Sequence, residues 1–87
     1  MNDQEARGGG RSVTNPEVAK RLGLSESGVH RIRNGTRYPS LAVMKRIAAE
    51  YDWPVSEQVN LIETDADAPG RDMEYAHELE RRISRKR

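Results

Sequence analysis

A twenty-residue stretch at positions 15–34, NPEVAKRLGLSESGVHRIRN, decides the fold. Its apolar residues recur at the spacing of two short helices joined by a turn of about three residues. A small residue stands where the helices must cross, and a glycine stands where the chain must turn in a left-handed conformation. The residues that hold the pair together are Val18, Ala19, Leu22, Gly23, Val29 and Ile32. This stretch therefore predicts two helices packed in a fixed geometry.

Capping residues place the ends of these two helices. Asn15, followed by Pro16, is one candidate N-cap, and Thr14 begins a competing capping box one residue earlier. Ser25 is the predicted N-cap of the second helix, and Asn34 lies where that helix ends. Both helices are therefore short and well delimited.

Further helices are predicted C-terminal to this pair. Ser40 opens one whose core-facing stripe consists of Leu41, Met44, Ile47, Ala48 and Tyr51. Ser56 can cap a short fourth helix that carries Val59 and Ile62. Residues 63–70, ETDADAPG, are acidic and end in Pro-Gly, which predicts an extended, mobile linker. No strand alternation competes, so the predicted fold is all-α.

The two ends of the chain differ from this helical centre. Residues 1–12 contain three consecutive glycines and are predicted to be a flexible arm, followed by a domain over residues 13–62. Residues 71–87 are predicted to form a helix with a basic tail. Its narrow apolar seam consists of Met73, Ala76, Leu79 and Ile83.

That seam needs a partner surface, because a lone helix of this length is marginal in water. Three partners are open: the same helix in a second subunit, the chain's own core, or another protein. We favour the second subunit, which makes the seam a predicted oligomer contact. Contact through residues 55–62 is a further option.

Composition and charge narrow the function classes. The 87 residues include no Cys or Phe, one Trp and three Tyr, which predicts one small, aliphatic core. Residues 11–47 carry eight bases against two acids, whereas residues 48–80 have a net charge of −9. Such segregation is typical of a domain with one side that faces a polyanion, although charge blocks are often only solvated faces.

Several function classes find no support. The two histidines form no metal-binding motif or catalytic constellation, so the sequence predicts no enzyme, cofactor, small-molecule ligand or metal site. It contains no apolar run of membrane-spanning length and no cleavable signal, which predicts a cytoplasmic protein without membrane association.

The stretch 15–34 resembles the helix-turn-helix of the Cro and phage-repressor family. The likeness continues through RIRNGTRYPS and LAVMKRIAAEYDWPVSEQVNLI and covers about 50 residues. It implies a small lambda-repressor-like bundle that binds an operator in double-stranded DNA, and repression is the favoured outcome. The plain alternative is an α-hairpin within a helical bundle without DNA binding.

The resemblance makes residues 25–34 the recognition helix of the major groove. It places Arg31 against guanine and Glu26 against cytosine, although Glu26 also suits the helix dipole as a first-turn acid. The implied base-reading residues are Glu26, Ser27, Gly28 and Arg31.

Other polar residues are implied to hold phosphates. They are Asn15, Lys20, His30, Arg33, Asn34, Thr36 and Arg37, to which Arg11 adds charge. The alternative is that these polar side chains lie on the surface and contact only water.

The sequence departs from the family in two respects. The family has a helix before the motif, but MNDQEARGGGR is a poor helix former, so the first helix is predicted to be reduced or missing. Arg33 stands where many relatives carry a glutamate that pairs with an arginine of that first helix. We expect Arg33 to reach a phosphate or an acid such as Glu50 instead.

The resemblance also implies partners and a setting. A homodimer is expected on a two-fold operator, in phage, prophage or mobile-element control in a bacterium. The alternative is a protein-binding module, such as an antitoxin or an adaptor, that holds its partner through the C-terminal helix.

Overall fold

The computed structural model describes residues 13–67 and 73–86 and arranges them as five α-helices. The helices are α1 (Asn15–Leu22), α2 (Glu26–Arg33), α3 (Leu41–Tyr51), α4 (Val55–Asp67) and α5 (Glu74–Lys86). These residues contain no strand, which confirms the all-α prediction. None of the five helices combines the length and the apolar content needed to cross a bilayer.

Local capping explains the first two helices. The Thr14 hydroxyl accepts a hydrogen bond from the Glu17 N–H at 3.4 Å, so Thr14 is the N-cap and Asn15 is the first helical residue. Gly23 ends α1 at a φ of 69°, in the left-handed region that favours glycine. The Ser25 hydroxyl accepts from the Gly28 N–H at 3.1 Å and caps α2. The predicted helical pair is therefore present.

The fourth helix differs from its prediction at both ends. It begins at Val55, so Ser56 lies inside its first turn and is not the cap. It continues to Asp67, so the prediction of an extended linker is wrong over residues 63–67. The predicted arm and the rest of the predicted linker, residues 68–70, lie outside the described residues.

Asp65 gives the last turns of α4 a structural task. Its carboxylate is buried and accepts hydrogen bonds from the backbone N–H groups of Glu74 and Tyr75, at 2.9 and 3.1 Å. Tyr38 donates a third bond to it from its hydroxyl, at 3.0 Å. An acid from α4 therefore caps the first turn of α5 and ties it to the segment after α2.

The core contains aromatic side chains at its centre, which corrects the expectation of an aliphatic core. Trp53 and Tyr75 are each 1% exposed and stack with ring centroids 4.8 Å apart. Ile47 lies in the same cluster, together with the apolar residues of α1 and α2. The core cluster contains three aromatic residues, Tyr51, Trp53 and Tyr75. They come from α3, from the α3–α4 connection and from α5.

A buried amide joins three parts of this core. The Gln58 amide nitrogen donates to the carbonyl oxygens of Met44 and Trp53, at 2.9 and 2.8 Å. Its carbonyl oxygen accepts from the Tyr75 hydroxyl at 2.8 Å. Burial raises the pKa of Tyr75, so this hydroxyl stays protonated and can donate. Gln58 thus links α3, α4 and α5.

The seam of α5 packs against the chain's own core, the second of its three expected partners. Leu79 and Ile83 are at most 1% exposed, Ala76 is buried, and Met73 packs beside Gly35. Assigning Ala76, Leu79 and Ile83 to an oligomer contact is therefore wrong, because buried apolar atoms cannot also face a second subunit. The physical reason is that α2, α3 and α4 leave an apolar face that α5 covers.

Candidate nucleic-acid interface

The solvent side of α2 carries polar side chains, and its inner side is fixed in the core. Val29 and Ile32 are buried in the core, where α2 packs against α1 and α5. Glu26, Ser27 and Arg31 are exposed, as the predicted base-reading positions require. The capped first turn holds the backbone of these positions through Ser25. The helix therefore exposes an acid, a hydroxyl and a guanidinium, and its backbone is held in place by the core and by the N-cap.

Gly28 does not share this surface, which corrects its assignment to base readout. It is buried, and its N–H donates to the Ser25 hydroxyl. A Cβ added at Gly28 would lie 3.3 Å from that oxygen. Its contribution is therefore to the cap, since a side chain there would crowd the hydroxyl that begins α2.

The loop after α2 is closed by its own side chains. The Asn34 carboxamide oxygen accepts from the Thr36 N–H at 3.1 Å and from the Thr36 hydroxyl at 2.8 Å. The Asn34 side-chain nitrogen lies 3.2 Å from Nε2 of the exposed His30. These bonds bring three predicted phosphate ligands together, and they give the loop a fixed shape. Arg37 follows it with an exposed side chain.

Arg33 is committed inside the protein, which corrects its prediction as a phosphate ligand. Its side chain is 12% exposed, and two of its nitrogens donate to the Glu80 carboxylate, Nη2 to Oε1 at 3.0 Å. Nη1 also donates to the Val13 carbonyl at 2.7 Å and to Asn15 Oδ1 at 2.9 Å. The expected acid, Glu50, pairs with an arginine of α1 instead. Arg33 pairs with Glu80 because the packing of α5 brings this carboxylate to the end of α2.

Two predicted phosphate ligands lie on α1. Asn15 is half-buried at the first helical position, and its carboxamide oxygen is occupied by Arg33. Lys20 is exposed on the same helix. Both keep a place in the candidate interface, Asn15 at the positive end of a helix dipole and Lys20 as a solvated charge.

Besides Glu80, two residues that support the elements of the site, Arg46 and Tyr38, were missed by the sequence reasoning. Arg46 of α3 donates from Nη2 to the Arg21 carbonyl at 2.7 Å, next to the turn glycine, and so holds the end of α1. Tyr38 donates to Asp65 and thereby fixes the chain just after the loop. Burial, with the bond to Asp65, raises the pKa of Tyr38. Their partners lie 25 and 27 residues away along the chain, so no local pattern indicates either contact.

Charge is segregated between the helices. Residues 13–47, which span α1, α2 and the start of α3, include seven bases and two acids. Helix α4 carries four acids and no base. The basic segment thus includes α2, and such a charge distribution is the kind that attracts a polyanion.

Comparison with known families agrees with this geometry. A family model described as helix-turn-helix matches residues 9–58, more than half of the chain. The chain therefore belongs to the Cro/C1-type helix-turn-helix family, a class of DNA-binding transcription regulators. This confirms the resemblance found in the sequence. No curated protein and no solved structure matches the chain. The match ends early in α4, and α5 lies wholly beyond it.

Proposed function

We propose that this protein is a sequence-specific repressor that inserts the recognition helix, residues 25–34 with α2, into the major groove of an operator. The observation that carries the proposal is the orientation of α2. Val29 and Ile32 on its inner side are buried, whereas Glu26, Ser27 and Arg31 face solvent. Among the described residues, Arg31 has no acidic partner. Its donors are therefore available to a ligand.

Each exposed residue has a base edge that suits it. The Arg31 guanidinium matches the two acceptors of guanine, O6 and N7, as a bidentate pair. The Glu26 carboxylate can accept from the cytosine amino group, and the Ser27 hydroxyl can donate or accept. Arg31 is the main determinant in this proposal, since Glu26 also has a role as first-turn acid of the capped helix.

Phosphate contacts would position α2 in the groove. Lys20 and Arg37 are exposed cations, and the start of α1 at Asn15 adds backbone N–H groups and a helix dipole. Asn34 and Thr36 shape the loop that presents Arg37. Arg33 is left out of this set, because its guanidinium is bound to Glu80.

A homodimer fits this function, because one recognition helix reads only a few base pairs. Two-fold dimers present their recognition helices to half-sites roughly 34 Å apart. With the seam of α5 buried, residues 55–62 of α4 are the proposed dimer contact, where Val59 is half-buried and Asn60 is exposed. Occupancy of the operator would then block transcription, in a bacterial or phage setting.

The alternative function, an antitoxin or an adaptor, required an accessible apolar surface on α5. It used the apolar seam of α5 to hold a protein partner, and Leu79 and Ile83 of that seam are inaccessible. DNA binding, by contrast, uses side chains that the fold leaves exposed.

The salt dependence of DNA affinity tests the electrostatic part of this proposal. With about two to three phosphates neutralised per monomer, by Lys20, Arg37 and the start of α1, log affinity should fall with log salt at a slope of about −2 to −3, and about twice that for a dimer. Fluorescence anisotropy with a duplex recovered by selection from random sequences, at several salt concentrations, measures the slope.

Two matched arginine variants localise that effect. Arg37→Ala should reduce the slope by about one, because one phosphate contact is lost. Arg85→Ala removes an exposed arginine of α5 and should leave the slope unchanged. A wild-type affinity that does not respond to salt would contradict the proposal.

A further inference from the structure

One guanidinium joins three separate segments of the molecule. Arg33 stands at the end of α2, and its Nε and Nη2 atoms donate to Glu80 of α5. Its Nη1 atom donates to the Val13 carbonyl and to Asn15 Oδ1, at the start of α1. The recognition helix, the first turn of α1 and α5 therefore meet at a single side chain.

The acid in this junction comes from outside the segment that defines the family. Glu80 lies 47 residues after Arg33 and beyond the matched residues 9–58. Because the Arg33 side chain is only 12% exposed, its charge needs a carboxylate close by. Glu80 supplies it, so an element outside the helix-turn-helix determines where Arg33 lies.

Two further contacts connect α5 with the loop after α2. Met73, just before α5, packs so closely on Gly35 that a Cβ there would lie 2.7 Å from its Cγ. The rings of Tyr38 and Tyr75 meet edge to face, with centroids 5.8 Å apart. Helix α5 therefore supports the end of α2 and the following loop at three places, of which Arg33–Glu80 is the charged one.

We propose that Glu80 is a positioning residue for DNA binding, which acts through Arg33 to fix α2 relative to the start of α1. This inference rests on the proposed function, in which α2 reads bases and the start of α1 holds a phosphate. Both contacts form together only if the two segments keep one relative position. Without Glu80, the guanidinium turns toward water and releases Val13 and Asn15. In this proposal α5 is part of the DNA-binding unit, because its Glu80 holds Arg33 in place.

A double-mutant cycle on the full chain tests this role. Glu80→Gln should weaken binding to the selected duplex by about tenfold and binding to a scrambled duplex by less than about twofold. Arg33→Met replaces the buried charge with a shorter, unbranched apolar chain and should cost about as much. If Glu80 acts only through Arg33, adding Glu80→Gln to Arg33→Met should change affinity by less than about twofold.

Glu78→Gln is the matched control on the same helix. Glu78 pairs with Arg81 and Arg82, away from α2, and hydrogen bonds from Arg82 lower its pKa. This variant should lower the melting temperature and keep the affinity within about twofold of wild type. Circular dichroism shows that each variant is folded at the temperature of the binding measurement.

The outcomes separate this inference from the function on which it rests. A wild-type chain that prefers no duplex overturns the proposed function and this inference together. A wild-type preference that Glu80→Gln retains in full overturns the inference alone. Equal losses in Glu80→Gln and Glu78→Gln, or losses that multiply in the double variant, also overturn it, because stability or a second path would then explain the effect.

Discussion

A chain that ends at Asp67, and so lacks α5, should not fold at 25 °C. The deletion removes Tyr75, Leu79 and Ile83, each at most 1% exposed in the native core. Truncating one such side chain to alanine costs about 2 to 5 kcal/mol, and a whole domain is stable by only about 5 to 15 kcal/mol. The deletion also leaves Trp53 without its stacking partner. Loss of the cooperative transition in circular dichroism during urea unfolding is the expected result.

Point variants provide the matched comparison for this deletion. Leu79→Ala should lower the free energy of unfolding by about 3 kcal/mol. Leu41→Ala, at a side chain that is 54% exposed, should change it by less than about 1 kcal/mol. Replacing both Leu79 and Ile83 with Asp should unfold the chain. A folded monomer from that double variant, or a folded chain without α5, would show that α5 is an appendage and would contradict the structure.

Arg31→Ala should have the largest effect of any exposed residue on operator binding. Loss of a bidentate arginine–guanine pair should cost about 1 to 3 kcal/mol on the preferred site and relax base preference at one position. Stability should not change, because Arg31 lies outside the core. Parallel selections from random duplexes, with wild type and variant, measure both effects.

Arg37→Ala is the control for base readout. It should weaken binding to all sequences alike, since a phosphate contact carries no base information. If Arg31→Ala selects the same sequence as wild type with the same preference at every position, then Arg31 does not read a base and the assignment fails.

The helices that local signals define could be predicted from the sequence. Caps at Ser25 and Ser40 and the turn at Gly23 depend on bonds between residues up to four apart, and the structure has them where they were predicted. The last turns of α4 carry Asp65, which contacts residues 9 and 10 positions later on another helix. An acidic composition alone could not show that this carboxylate would be buried.

In the candidate site too, the features that depend on local spacing could be predicted, and those that depend on distant contacts could not. Exposure of Glu26, Ser27 and Arg31 follows from helical spacing, since their neighbours Val29 and Ile32 are apolar. The burial of Arg33 depends on Glu80, which only the packing of α5 brings near. Contact of the exposed residues with DNA stays a prediction.

Backbone amide shifts on titration with the selected duplex test the central claim most directly, because an 87-residue chain allows a signal to be followed at nearly every residue. The account predicts that the largest changes fall on residues 26–31, on the loop 34–37 and at the start of α1. The outer face of α5, at His77, Arg81 and Ser84, should change little. Largest changes on that outer face, with α2 unaffected, would contradict the account.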